Sequence, residues 1–131
     1  MPHRKLVTKE MAAIFGVFSH PARIEIIEEL RGGDKDVNQL QDTLEVSHSR
    51  VSQHLSVLRT HRLVTERREG RHVFYRLTQP ALADWLLGGL QFLEAEANAT
   101  AEIHSAIQKV REMWVDADKQ EQEAGDSRTP A

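Results

Sequence analysis

Asp36 opens the run DVNQLQDTL, and Gln39 follows it by three residues. An acidic cap with Gln at the third helical position can close a capping box, each side chain satisfying the other residue's backbone N–H. Val37, Leu40 and Leu44 then recur at helical spacing. Three residues, Glu45-Val46-Ser47, lead into a second run. VSHSRVSQHLSVLRTHRLV spans 46–64, with Val51, Leu55 and Leu58 spaced four and then three apart. Ser47 is a good cap for that helix, and Val46 before it can staple onto Val51. Two short amphipathic helices, the second over 48–59, therefore meet through a tight turn. That is a helix-turn-helix arrangement.

The flanks complete an outline that is mainly α with a small β-hairpin. TKEMAAIFGVF (8–18) predicts a helix too apolar to be solvated, which must pack into the core or a partner. SHPARIEIIEELRGG predicts another, with Pro21 in its first turn, an apolar face of Ile24, Ile27 and Leu30, and Gly32-Gly33 as its stop. TERREGRHVFYRL alternates about Glu69-Gly70, so a two-stranded hairpin is expected. From Pro80 the apolar spacing predicts one long helix to about Trp114. At 1.5 Å per residue it would span roughly 50 Å. A domain this small cannot bury such a helix alone, and a second copy of the chain is the usual cover. Residues 1–116 thus read as one domain. The polar stretch 117–131 reads as a disordered tail.

The outer face of helix 48–59 carries short hydrogen-bonding groups and neither Glu nor Lys. An ordinary solvated helix would carry both. The net charge of −3 hides a split. Seven arginines face two glutamates over 46–79, a net of +5, whereas 80–131 sums to −6. A basic, serine-rich helix followed by an arginine-bearing hairpin fits double-stranded DNA. Gln53 can pair bidentately with adenine, and Arg50 can address guanine or a phosphate. Ser47, Ser49 and Ser52 can grip phosphate oxygens; His48 and His54 join them as candidate DNA contacts on the same helix, with His54 facing either its own core or a phosphate. Arg71 beside the turn can enter a minor groove, with Arg67 and Arg68 on phosphates. The bland alternative is an edge hairpin made soluble by its charge.

Other chemistries find little support. No cysteine is present, so disulfides, thiolate metal sites and thiol sensing are excluded, and a reducing cytoplasm is the simplest home. The basic start, MPHRKLVTKEM, is followed by no apolar run, and no stretch reaches the roughly 20 apolar residues of a membrane span. Seven histidines occur, yet no pair has the one-turn spacing of a helical chelate. A site across a dimer, joining His3 or His20 to His104, is the metal reading that remains. Phe15, Phe18, Trp85 and Phe92 read as dimer packing, with a small-molecule pocket as the alternative. No phosphate loop or HExxH run appears, so neither a catalytic site nor a cofactor is expected.

FSHPARIEIIEEL, VSHSRVSQHLSVLRTHRLV and REGRHVFYRL together resemble the ArsR/SmtB family of bacterial winged-helix repressors, over roughly residues 10–95. The resemblance implies a winged helix-turn-helix with a long C-terminal dimerisation helix. It implies a homodimer joined by first and last helices on a near-palindromic operator, and repression relieved by an inducer. The chain departs from the family at three places. The stretch matching the family's Cys-x-Cys metal motif is DKDVNQL, without a thiol. Near the second family metal site stand Gln79, Ala81, Phe92 and Ala95, no plausible zinc set. Glu45 and Arg62 replace glycines common in the family, at about 1 kcal/mol each if their backbone is left-handed. The expectation is therefore a DNA-binding transcriptional regulator without the family's metal sites. A repressor with a non-cysteine metal site and a winged-helix protein-interaction module are the alternatives.

Overall fold

A computed structural model describes residues 2–95 and 100–126, the last thirteen of these as helical backbone only. The chain forms two compact units, Met1–Ala83 and Asp84–Ala131.

The first unit begins with α1 (Pro2–Val17) and α2 (Pro21–Arg31), which Gly32-Gly33 terminates. The Gly32 and Gly33 N–H groups close back onto the Glu29 and Leu30 carbonyls, and Gly33 takes a φ of 126°. The first helix thus starts six residues before the expected Thr8. Pro2 is suited to a first turn, and the residues after it favour helix. A short strand, β1 (Lys35–Asp36), leads into α3 (Val37–Leu44) and then α4 (His48–Thr60). The Asp36–Gln39 capping box forms in both directions: the Gln39 N–H donates to Asp36 Oδ1 at 2.8 Å and the Asp36 N–H to Gln39 Oε1 at 2.9 Å.

Two strands follow, β2 (Val64–Glu69) and β3 (His72–Leu77). They pair antiparallel, with Glu69 opposite His72 and Val64 opposite Leu77. Gly70, at φ 62°, supplies the positive first position of the two-residue turn. The sheet has three strands where a two-stranded hairpin was expected, in the order β1-β3-β2. Two residues are too few to show alternation, so in the sequence Asp36 reads only as a helix cap.

The core lies where α2, α3 and α4 meet the sheet. Ile26, Ile27, Leu40, Val51, Leu55, Leu58 and Val64 are all at most 1% exposed. Leu30, Val17, Phe18 and Leu77 close its edges. Ile26 lies within the buried face of α2, whereas Ile24, expected on that face, is only half-buried.

The continuous helix expected over 80–114 does not form. It is divided into α5 (Ala81–Leu87), α6 (Leu90–Ala95) and α7 (Ala101–Asp126), with 96–99 outside the described residues. Consecutive glycines at 88 and 89 each cost about 1 kcal/mol of helix propensity, enough to end α5. Thr100 starts α7 afresh, its hydroxyl accepting from the Ile103 N–H at 3.3 Å. A long C-terminal helix is therefore present, although displaced along the chain. Its backbone stays helical to Asp126, past the point at 117 where a disordered tail was expected; the run DADKQEQEA is rich in good helix formers. Residues 127–131 lie outside the described residues. Within this second unit α6 and α7 are in contact, Glu94 pairs with Arg111 at 2.6 Å, and Ile107 is buried. Among the described residues no helix is long and apolar enough to cross a membrane.

Candidate nucleic-acid interface

Helix α4 is fixed at both ends and along its inner face. Ser47 caps it, the hydroxyl accepting from the Arg50 N–H at 3.3 Å. At the other end the Leu63 N–H reaches the Leu58 carbonyl at 3.0 Å and the Arg62 N–H reaches that of Arg59 at 2.9 Å. This is a Schellman closure, which requires a left-handed residue, and Arg62 supplies it at φ 61°. Glu45 ends α3 with the simpler left-handed cap, at φ 55°, its N–H on the Gln41 carbonyl. Both backbone positions suit glycine, so both carry a small strain.

Burying Val51, Leu55 and Leu58 turns the opposite side of α4 outward. Ser47, His48, Ser49, Arg50 and Gln53 are exposed, and Ser52 is half-buried. The expected contact face is thus presented as one surface, with its serines and helix N–H groups at the N-terminal end. His54 departs from it. It lies on the Val51–Leu55–Leu58 seam and its Nδ1 accepts from Arg23 Nε at 3.1 Å. Burial, followed by the charges of Arg23, His20 and Arg50, lowers its pKa below the ordinary 6.5.

The wing sorts its arginines by strand parity. Arg67, opposite Phe74, lies on the face shared with His72 and Arg76. There it is held: Nη1 donates to Asp34 at 2.9 Å, Nη2 to Glu69 at 3.2 Å, and the guanidinium sits 5.3 Å from the Phe74 ring centre. Arg68 and Arg71 are exposed, and among the described residues neither has an intramolecular partner. Arg71 and His72 line a groove of about 250 Å³ with His48, Asn38, Asp36 and Tyr75, so the wing tip and the start of α4 share one concave surface. The wing is tied to the end of α4 by Arg59 and Glu66, 2.8 Å apart. Burial, with the neighbouring Glu66, pushes the Tyr75 phenol up.

Four supporting residues escaped the sequence pattern: Arg23, Asp34, Arg59 and Arg76. Arg23, Asp34 and Arg76 act through partners far along the chain, 31 residues away for Arg23 and 42 for Arg76, and Arg59 reaches across from helix to strand to Glu66. Local spacing carries no trace of such pairs. Among the described residues no group of three or more His, Cys, Asp or Glu side chains is placed to hold a metal ion.

A family profile described as "Bacterial regulatory protein, arsR family" matches residues 20–66, from the start of α2 into β2. The biofilm growth-associated repressor of Agrobacterium fabrum is 32% identical over 83 residues, covering 63% of this chain and 71% of that protein. The chain belongs to the bacterial arsR family. The HTH-type transcriptional repressor SmtB of Mycobacterium tuberculosis is 43% identical over 67 residues, about half the length of each protein. Among solved structures, NolR from Sinorhizobium fredii superposes with a TM-score of 0.64 at 27% identity, covering 74% of this chain and 96% of NolR. This arsR-family protein is thus a winged helix-turn-helix of a class of DNA-binding regulators rather than of enzymes. Its matched segment contains the whole two-helix unit and the first residues of the wing.

Proposed function

We propose that this protein is a homodimeric transcriptional repressor that reads a near-palindromic operator. One observation carries the reading. The face of α4 left open by the core, Ser47 to Gln53, is rich in short donors and free of carboxylates. Gln53 and Arg50 address base edges in the major groove, and Ser47, His48, Ser49 and Ser52 address phosphates. Arg68 and Arg71, the unpartnered arginines of the wing, supply flanking phosphate or minor-groove contacts. Arg67 is engaged within its own subunit and serves the wing first.

Dimerisation is supported by apolar surface on both units. Leu6, Val7, Met11 and Phe15 are exposed along α1, as are Phe92, Leu93, Ile103 and Met113 in the second unit. Two copies related by a two-fold axis would place their α4 helices about 34 Å apart, one turn of DNA. A change in that spacing is the simplest way for an effector to release the operator.

The test is fluorescence anisotropy against a labelled duplex from upstream of the protein's own gene, with a random duplex of equal length and a salt series. Selective binding that weakens steeply with salt supports the reading. Equal, weak binding to both duplexes speaks for a winged helix turned to protein contacts.

A further inference from the structure

His54 sits in the middle of the DNA-facing helix but on its inner seam. Arg23, in the first turn of α2, bonds it through Nε and also donates Nη1 to the Val17 carbonyl at 3.2 Å. One guanidinium therefore links three elements: the last turn of α1, the start of α2 and the centre of α4. An arginine can only donate. The bond thus requires a lone pair on His54 Nδ1 and places the imidazole proton on Nε2.

The surroundings allow little tolerance for a second proton. Arg23 faces the ring from α2, His20 from the cap of α2 with its ring centre 6.1 Å away, and Arg50 from one turn earlier on α4. None of these groups is a carboxylate. Protonating Nδ1 would set N–H against N–H and add a cation among cations.

We propose that His54 is a positioning residue for α4 rather than a DNA contact, forming with Arg23 a latch that binds the DNA-reading helix to the α1–α2 corner and opens on protonation. This rests on the DNA reading above and adds a means of regulating it. The sign follows from the lowered pKa of His54. On acidification the unfolded or unlatched chain takes up the proton first. The latch is intact above the ordinary value near 6.5 and is lost as pH falls through the lower, folded value. A histidine set beside a DNA phosphate would behave oppositely, because its protonation strengthens DNA binding. The two kinds of histidine are therefore separable by direction.

The experiment compares the full-length protein with His54→Asn, in which the amide oxygen can take the place of Nδ1 but does not titrate. Anisotropy is measured on the upstream duplex and on a random duplex, from about pH 8 to about pH 5. Melting curves are recorded at each pH. Nitrogen-15 NMR of the unsubstituted protein reads the tautomer of His54, a readout that needs neither a variant nor DNA. Expected are an Nε2–H tautomer at neutral pH and a selective affinity that falls on acidification by about tenfold for each pKa unit between latched and unlatched states. The Asn variant should lack that loss. An Nδ1–H tautomer would overturn the latch. Parallel pH profiles for the two proteins, with selective binding retained, would overturn it as well. Absence of selective binding by either protein at neutral pH overturns the DNA reading instead, and takes the regulatory role with it.

Discussion

Arg76 closes a fork on Asp34, donating to its carboxylate through Nε at 3.2 Å and Nη2 at 3.1 Å. The same carboxylate holds Arg67. The basic charge of the strand face turned away from α4 is thus partly offset by a residue of the α2–β1 connection. The arginines that remain open, Arg68 and Arg71, stand at the tip.

Replacing Asp34 by Ala should therefore add basic character to the wing. Arg76 is released and Arg67 is left on Glu69 alone; both guanidiniums are well exposed, so melting should change little. Affinity for a random duplex should rise, and the salt slope should steepen by about one for each new phosphate contact. An unchanged slope would show that neither arginine reaches DNA even when freed. Arg71→Ala is the counterpart and should flatten the slope by about one while weakening all duplexes alike.

Neighbouring residues on α4 should fail in different ways. Gln53→Ala removes an exposed side chain, so melting should be unaffected. Selective affinity should fall by roughly 1–3 kcal/mol with relaxed preference at one base position. Leu55→Ala empties a site that is 1% exposed and should cost about 2–5 kcal/mol of stability. Equal losses for Gln53→Ala on operator and random duplexes would remove Gln53 from the readers.

The left-handed residues offer a gain. Glu45→Gly relieves a side chain held at φ 55° and should stabilise the fold by about 1 kcal/mol, a few degrees in melting temperature. Arg62→Gly should stabilise similarly. If the Arg62 guanidinium also meets a phosphate, the same change lowers DNA affinity. A melting temperature that falls on Glu45→Gly would mean that the Glu45 side chain contributes more than its backbone costs.

What was legible in the sequence follows from the range of the forces involved. The capping box at Asp36, the Ser47 cap and the Val51–Leu55–Leu58 seam are local, and each forms as the spacing implies. The hairpin register is local as well, set by Gly70. The glycines at 88 and 89 are a local signal too, but apolar spacing continues through a kink without registering it. For His54 the sequence leaves two roles open, its own core or a phosphate, because helical phase alone puts it at the border of the inner and outer faces. Only the approach of Arg23 decides where its ring is used. Arg67 is similar: its basic character was plain, and its engagement by Asp34 depends on a chain reversal invisible at short range.

Glu28 gives a prediction about pH in the opposite sense to His54. It is half-buried on α2, and burial, followed by the charges of Glu25 and Glu29, raises its carboxyl above the ordinary 4.5. In the unfolded chain the proton leaves at the ordinary value; in the folded chain it is retained to higher pH. The favourable contribution is therefore complete below pH 4.5 and is lost as pH rises through the folded value. Above that folded value the ionised Glu28 opposes folding. Glu28→Gln keeps the shape and removes that charge. It should raise the melting temperature at neutral pH, and the gain should vanish in acid below 4.5. Melting curves of both proteins across that range check it. A variant less stable at neutral pH would mean that the Glu28 carboxylate stabilises the fold and that its burial is compensated.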